Sequence, residues 1–283
     1  MLQGFEQWLK TLGYSTSVVY SYPTLVQGFL HYQEANKRRF TAWEAVHYQE
    51  YMQQSKERTN EKNGGGLSAG HLNKIAQSLE TFQRYLLQTE QADLYTNLER
   101  LQSVSKPLEI FTKEEIRELY EACPSTFVGI RQRAILGLCY GCGLRCGEAC
   151  NLEIRDIWQD KKLLQVRESK TRKSRLVPLT SSVLADLNYY LEVARPLTEP
   201  DKDNLYFLLT SRGKKVRHQV LYKSFQQLLK ALDYPQTGLH SLRHSIASHL
   251  SESGMPSHQI AQFLGHQTLN STQIYVHLNQ KKK

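Results

Sequence analysis

The spacing of apolar residues changes partway along this chain, and that change limits the possible folds more than any other feature. Up to about residue 101 the apolar residues recur every three or four positions, as Leu72, Ile75 and Leu79 do, which is typical of amphipathic helices. Between residues 152 and 179 they form short apolar runs separated by basic turns, which predicts a small antiparallel sheet. Helical spacing then returns over 216–232, 240–252, 257–264 and 270–278. The predicted fold class is therefore mainly α: an all-helical domain, followed by a mostly helical α/β domain.

Four helices are predicted in the first third of the chain. Ser15 or Thr16 can cap the second helix and Thr41 the third, because their hydroxyl groups can accept hydrogen bonds from free backbone N–H groups. A flexible connection, Gly64–Gly66, precedes Ser68, which opens a longer fourth helix.

The best candidate for an interdomain linker is 104–111, which lacks periodicity and contains a proline. Immediately after it, Thr112 and Glu115 have the spacing of a capping box that begins a new helix. The sequence thus predicts one domain over residues 1–103 and a second over 112–283.

Composition excludes several classes of protein. With 40% hydrophobic and 22% charged residues the chain is globular rather than disordered. The longest apolar run without a charge, Ala134–Leu144, is too short to span a bilayer, and the first residues do not resemble a signal peptide. The expected location is the cytoplasm, with no membrane partner.

The net charge of +9 is unevenly distributed. Residues 1–105 hold ten basic and ten acidic residues, so the whole excess lies in the remainder of the chain. A basic half beside a neutral one indicates a polyanionic partner for the C-terminal part, although charge alone does not distinguish DNA, RNA or an acidic membrane.

Four of the five cysteines lie close together, at Cys139, Cys142, Cys146 and Cys150. Their C-x2-C-x3-C-x3-C spacing is compatible with iron–sulfur or zinc ligation. On one helix, however, positions i, i+3, i+7 and i+11 form a buried stripe, and cysteine packs well as a small apolar side chain. We predict the buried stripe, with neither a metal nor another cofactor.

A set of chemically capable residues follows in order along the second domain: Arg145, Lys170, His240, Arg243, His266 and Tyr275. Each alone has an ordinary interpretation. Arg145 can pair with Glu148 on its helix, Lys170 can belong to a solvated turn, and Tyr275 is one of 16 tyrosines. His240 and His244 are spaced like a zinc pair, but no nearby carboxylate or cysteine completes it. Six such residues in one order require a common explanation.

The motifs around these residues resemble those of the tyrosine recombinase (phage integrase) family, including Xer-type recombinases. GLRCGE resembles the family's GLR-x-x-E box, and SKTRKSRLVPL its lysine-bearing hairpin. The segment from HSLRH through FLGH to QIYVHL is similar to the C-terminal catalytic block. The resemblance implies a helical core-binding, DNA-binding domain over residues 1–103 and a catalytic domain over 112–283.

The resemblance makes Tyr275 a nucleophile that forms a covalent 3′-phosphotyrosyl bond with DNA. Arg145 and Arg243 would hold the non-bridging phosphate oxygens, because a planar guanidinium offers paired donors that lysine lacks. Stabilising that charge is the main task in phosphoryl transfer.

The remaining roles also come from the resemblance. Lys170 would protonate the leaving 5′ oxygen, His240 would support proton transfer, and His266 would donate a hydrogen bond to the phosphate. No cofactor is expected, because the phosphotyrosine bond preserves the energy of the broken one.

The implied partners are double-stranded DNA recombination sites, synapsed by a homo-tetramer that exchanges strands through a Holliday junction. Integration or excision of a mobile element, resolution and inversion all remain open. Only VHLNQKKK follows Tyr275, a shorter tail than in Xer-type relatives, which puts tail exchange between protomers in doubt. The predicted DNA contacts are Ser68, His71 and Lys74 in the first domain and Arg172, Lys173, Arg175, Arg212, Lys214, Lys215 and Arg217 in the second.

Two alternatives remain at this point. A type IB topoisomerase uses similar arginine, lysine, histidine and tyrosine chemistry, although the compact helical first domain and the LGH motif favour a recombinase. The other is a catalytically silent DNA-binding relative, against which the presence of all six residues argues.

Overall fold

A computed structural model describes residues 1–40, 43–59, 64–102, 108–167, 174–198 and 203–266. The chain divides into two compact units, Met1–Lys106 and Pro107–Lys283. Each unit has its own hydrophobic core and is described separately.

The described residues of the first unit form four α-helices: α1 (Leu2–Thr11), α2 (Thr16–Ala35), α3 (Ala45–Glu57) and α4 (Ala69–Gln88). The side chains of Ser15 and Ser68 accept hydrogen bonds from backbone N–H groups in the first turns of α2 and α4, which confirms the cap predicted at Ser15 and the helix start predicted at Ser68. The third helix begins after Glu44, whose backbone N–H donates to His47 Nδ1 at 3.0 Å. Thr41, the predicted cap of that helix, lies outside the described residues.

The core of the first unit is rich in aromatic side chains. Phe29 and Tyr48 stack with ring centroids 4.5 Å apart, and Phe5 meets Phe82 edge to face at 5.2 Å. The predicted apolar face of α4 is buried here, including Leu79. Burial of these large rings contributes to the stability of this helical unit.

The described helices of the second unit are α5 (Lys113–Glu121), α6 (Phe127–Leu136), α7 (Cys146–Asn151), α8 (Ser181–Tyr189), α9 (His218–Ala231), α10 (His240–Glu252) and α11 (Ser257–Leu264). Thr112 and Glu115 form the predicted capping box at the start of α5. Three short strands, β1 (Ile157–Trp158), β2 (Leu163–Val166) and β3 (Arg175–Pro178), make an antiparallel sheet in the order β1-β2-β3. A mainly helical fold with a small antiparallel sheet is confirmed.

The sheet covers one side of the helical core of this unit. Leu164 of β2 pairs with Val177 of β3, and both side chains are fully buried against helical residues such as Leu136 and Leu187. Neighbouring residues alternate between the buried and the more open face, as the period of two requires. No helix among the described residues has both the length and the apolarity needed to cross a membrane.

Two local predictions are wrong. Ile154 belongs to a short 3-10 turn, Ile154–Asp156, rather than to a strand. The cysteines do not share one helix, because α6 passes into a π-helical turn, Gly137–Gly141, and the chain then leaves the helix. Gly143 adopts a φ of 61°, a conformation that favours glycine, before α7 begins. Three of the four cysteines are nevertheless buried: Cys139, Cys142 and Cys150.

The start of α6 offers a test of packing in the second unit. A Cβ atom at Gly129 would lie 1.9 Å from the carbonyl oxygen of Pro124, so the backbone would have to move. At Gly137 the nearest atom would be a methyl carbon of Val183 at 3.4 Å, an ordinary contact. We expect Gly129→Ala to lower the free energy of unfolding by about 3 kcal/mol, and the matched Gly137→Ala to change it by less than about 1 kcal/mol.

The measurement is urea unfolding of the full chain, followed by the fluorescence of Trp158 in a background in which Trp8 and Trp43 are phenylalanine. Trp158 is then the one remaining tryptophan and reports on the second unit. Equal destabilisation by the two substitutions would contradict the close approach of α6 to Pro124.

Candidate functional site

Arg145 lies at the N-cap of α7, one position before the helix that the sequence predicted would carry it. Its guanidinium donates to Glu148 Oε1 at 2.8 Å, and its backbone N–H donates to Glu148 Oε2 at 2.8 Å. A second guanidinium nitrogen reaches the carbonyl oxygen of Gly265 at 3.2 Å. The pairing with Glu148 thus orients Arg145 toward the end of α11.

Arg243 is almost completely buried, with 1% of its side chain exposed. From α10 its guanidinium donates to the carbonyl oxygens of Gly143 and of Leu264, the latter at 2.6 Å. It also lies 3.9 Å from Glu148 Oε2. A Cβ atom on Gly143 would come within 2.7 Å of Leu264, so glycine is required where the chain passes this arginine.

Arg175, at the start of β3, is a third arginine on the same carboxylate. It donates to Glu148 at 2.9 and 3.1 Å and to the carbonyl oxygen of Phe263 at 3.0 Å. The sequence predicted a DNA phosphate contact for Arg175. That prediction does not fit this geometry, because 12% of the side chain is exposed and its donors face protein acceptors.

Glu148 is the one carboxylate that these three arginines share. Burial would raise its pKa, but the hydrogen bonds and charge of Arg175, together with the hydrogen bonds from Arg145, lower the pKa to about 2. The carboxylate is therefore ionised at neutral pH. It offsets one of three guanidinium charges, which leaves a local excess of positive charge suited to an anion.

Two of the predicted histidines border this positive cluster. His240 is the first residue of α10, and His266 follows Gly265, the C-cap of α11. Partial burial, followed by the charges of Arg243 and Arg145, lowers the pKa of both and brings that of His266 to about 4. Both environments therefore favour the neutral ring, and a bound anion would raise the two pKa values by opposing the arginine charges.

Gly265 ends α11 in the left-handed conformation, with a φ of 67°, which confirms the predicted helix stop. A Cβ atom at this position would lie 2.8 Å from a guanidinium nitrogen of Arg175. The glycine therefore serves two purposes: it turns the chain toward His266, and it leaves room for Arg175.

Several of these groups border a cavity of about 650 Å³, whereas the buried Arg243 does not line it. Arg145, Glu148, Arg175, His240 and Gly265 are among the residues that line it. The sequence predicts a partner for Glu148 only in Arg145, on the same helix. The Glu of GLRCGE was the available signal, but its contacts with residues 27 positions and more away depend on the fold.

Four predicted site residues lie outside the described part of the chain: Lys170, Arg172, Lys173 and Tyr275. In sequence, Lys170 stands between β2 and β3, and Tyr275 follows His266 by nine residues. Their roles remain predictions.

The other basic candidates of the second unit precede or begin α9. Arg212, Lys214 and Arg217 are exposed. Lys215 is half-buried, with Nζ 2.7 Å from Asn151 Oδ1 and 3.9 Å from the ring centroid of Tyr206. The exposed members have the accessibility that a phosphate contact needs, whereas Lys215 already makes contacts inside the protein.

In the first unit the three candidates lie at the N-terminal end of α4. Ser68 and His71 are exposed and Lys74 is half-buried. Ser68 Oγ accepts the backbone N–H of His71 at 3.2 Å, so it also caps the helix. Contact of these residues with DNA remains a prediction.

The shared carboxylate yields a prediction about stability. We expect Glu148→Gln to lower the free energy of unfolding by about 2–4 kcal/mol at pH 7, because three guanidiniums lose their counter-charge while Arg243 stays buried. Because Glu148 has a folded-state pKa of about 2, below the usual 4.5, its contribution is present above pH 4.5 and lost as the pH falls toward 2. The difference between wild type and variant should therefore shrink over that range.

The measurement is denaturant unfolding between pH 7 and pH 2.5. Glu114→Gln is the control, since Glu114 is exposed in the first turn of α5 and its replacement should change stability by only a few tenths of a kcal/mol. A pH-independent difference for Glu148→Gln would contradict the ionised, buried carboxylate.

Comparison with known proteins identifies the family. Residues 109–282 match the model of the phage integrase family. The chain is 34% identical over 220 residues to the tyrosine recombinase XerA of Pyrococcus furiosus, a match that covers 76% of this chain and 72% of that protein. It is 33% identical over 180 residues to XerD of Listeria innocua, covering 62% of this chain and 59% of the relative.

Solved structures share the fold. The Tn1549 transposon integrase, in complex with transposon right end DNA, matches with a TM-score of 0.74 and 18% identity over 97% of this chain and 93% of that one. The XerH site-specific recombinase bound to its difH substrate matches with a TM-score of 0.73 and 20% identity, over 93% and 78% of the two chains. Because the family model matches more than half of this chain, the chain belongs to the phage integrase family of tyrosine recombinases.

Proposed function

We propose that this protein cleaves and rejoins duplex DNA at specific sites through a covalent bond between Tyr275 and a DNA 3′ phosphate. The observation that carries the proposal is the convergence of Arg145 and Arg243 on the Glu148 carboxylate, beside His240 and His266, whose pKa values burial and the arginine charges lower. Family membership supports the same chemistry.

The arginine cluster is suited to a phosphodiester. The guanidinium of Arg243 is held by two carbonyl oxygens and that of Arg145 by Glu148 and one carbonyl, so both are oriented before the substrate arrives. Donors that need no reorganisation stabilise the charge that develops on the non-bridging oxygens. His266 would donate a further hydrogen bond, and its pKa would rise as the phosphate binds.

In the proposed cleavage step the Tyr275 oxygen forms a bond to phosphorus while the bond from phosphorus to the 5′ oxygen breaks. The phenol proton passes to a base, for which His240 is the candidate, and Lys170 protonates the leaving 5′ oxygen. One phosphodiester is exchanged for another, so the step needs no external energy source. Attack by a 5′ hydroxyl of a partner strand reverses the step and releases Tyr275.

We further propose that four protomers act on two DNA sites and exchange strands through a Holliday junction. Residues 1–103 would contact the duplex through Ser68, His71 and Lys74, and the exposed Arg212, Lys214 and Arg217 would contact phosphates. Integration or excision of a mobile element is the proposed biological setting, with resolution and inversion as the other outcomes of the same chemistry.

The nucleophile can be tested by removing one oxygen atom. We expect Tyr275→Phe to abolish the covalent adduct on a site nicked next to the cleaved phosphate, while DNA binding and folding persist, because only the hydroxyl is lost. The measurement is denaturing electrophoresis of the trapped adduct with peptide mapping, and a mobility-shift assay for binding.

The control is Tyr222→Phe, which removes the hydroxyl of an exposed tyrosine of α9 and should leave adduct formation unchanged. An adduct that persists in Tyr275→Phe, or that maps to another tyrosine, would overturn the assignment. DNA binding without any adduct in the wild type would indicate a catalytically silent relative.

The arginine geometry can be tested separately. Arg243→Lys keeps the positive charge but cannot hold the carbonyl oxygens of Gly143 and Leu264 and a phosphate at once. We expect the cleavage rate to fall by about 100-fold or more, with a small residual rate, whereas Tyr275→Phe should leave none.

The measurement is single-turnover cleavage of the nicked site at saturating protein. Arg217→Lys serves as control, because Arg217 is exposed and Lys supplies the same charge to a phosphate. A similar small effect from both substitutions would contradict a special role for the planar, buried guanidinium.

A further inference from the structure

A second cluster of reactive side chains borders the same cavity. Cys146 and Cys150 lie one turn apart on α7, and His218 is the first residue of α9. Their potential ligand atoms, two sulfurs and one ring nitrogen, all lie within 4.8 Å of one another. The arginine chemistry uses none of these three side chains.

We propose that Cys146, Cys150 and His218 form a Zn²⁺ site with three protein ligands. In a tetrahedral zinc site the Zn–S distance is about 2.3 Å and the Zn–N distance about 2.0 Å, so neighbouring ligand atoms lie roughly 3.5–3.8 Å apart. The observed upper limit of 4.8 Å exceeds this by about 1 Å, which small side-chain rotations can supply.

The donor set selects the metal. Two thiolates and one imidazole are ligands that zinc prefers, whereas magnesium and calcium require oxygen. Two thiolates also cancel the charge of Zn²⁺, so the occupied site is neutral. A neutral site adds no positive charge beside the cations already there. Arg145 is adjacent to Cys146 in the chain, and Lys215 contacts Asn151, the last residue of α7.

Local structure brings the ligands together. Positions i and i+4 place Cys146 and Cys150 on one face of α7. Between them Gly147 has no side chain, and a Cβ atom there would lie 3.3 Å from Nε2 of His218. The glycine thus allows the imidazole to approach α7 closely.

The site is also accessible. His218 is exposed and Cys146 half-buried, while Cys150 is buried beneath them. Cys146 and His218 line both the main cavity and a neighbouring one of about 460 Å³ that includes Tyr222 and Leu239. A fourth zinc ligand, such as water, has room on the cavity side.

Zinc at this position would join the start of α9 to α7. Because Arg145 is the N-cap of α7 and directly precedes Cys146, the metal would also restrain the backbone that carries Arg145. The proposal replaces the prediction of four equivalent buried cysteines: Cys139 and Cys142 remain in the core, and the other pair takes the metal.

The test uses the full-length protein after removal of metals with a chelator, titrated with Zn²⁺ alone and, separately, with Co²⁺. We expect one equivalent of Zn²⁺ to bind and to raise the Tm. Cobalt should give thiolate-to-metal charge-transfer bands and the visible spectrum of a tetrahedral site. His218→Ala should weaken zinc binding by at least about tenfold, and Cys150→Ser should remove the charge-transfer intensity of one thiolate.

Because His218 is exposed, its replacement tests the site without disturbing the core. Cys123→Ser is the matched control, since Cys123 is half-buried and lies outside the cluster, and it should retain zinc binding and the full cobalt spectrum. Absence of zinc binding at micromolar concentration, or binding and Tm shifts in His218→Ala that equal those of the wild type, would overturn the proposal. These readouts involve no DNA, so they are independent of the proposed recombination.

Discussion

The carboxylate of Glu148 is the interaction on which the proposed site depends. Arg145 precedes α7 as its N-cap, Arg175 begins β3 and Arg243 lies on α10, and each contacts this one group. Without it, three guanidiniums would repel one another, and the fully buried Arg243 would lack its nearest counter-charge. A single acidic side chain therefore holds a helix start, a strand and a second helix in one arrangement.

Backbone carbonyl groups also orient the guanidiniums of Arg145 and Arg243. The carbonyl oxygens of Gly143, Leu264 and Gly265 accept hydrogen bonds from Arg243 and Arg145. These acceptors carry no net charge, so they orient the guanidiniums without neutralising them. The result is a positively charged region whose donors are already oriented, and such orientation before binding favours electrostatic catalysis. The neutral histidines beside it can gain protons or donate hydrogen bonds when a phosphate offsets the arginine charge.

Two sets of functional groups lie beside the cavity, one suited to an anion and one to a cation. One wall presents nitrogen donors arranged around Glu148, which suit an oxyanion. The other presents Cys146 and the imidazole of His218, which together with the buried Cys150 suit a soft or borderline cation. Since α7 contributes to both walls, any change in the position of this short helix affects the two together. This shared element links the proposed zinc site to the proposed phosphate site.

Local interactions explain which features could be predicted from the amino-acid sequence. The caps at Ser15, Ser68 and Thr112 and the stop at Gly265 involve residues a few positions apart, and the structure confirms them. The short apolar runs that predict the small sheet are equally local, and the family motifs depend on the order of residues alone.

Tertiary structure decided the features that depend on residues far apart in sequence. The guanidinium of Arg175 faces Glu148 and Phe263, which no periodicity indicates. The cysteine stripe divides because a turn at Gly143 interrupts the helix, and His218 meets Cys150 across 68 residues. Such contacts depend on how helices and strands pack, and packing arises from the whole core rather than from any one segment.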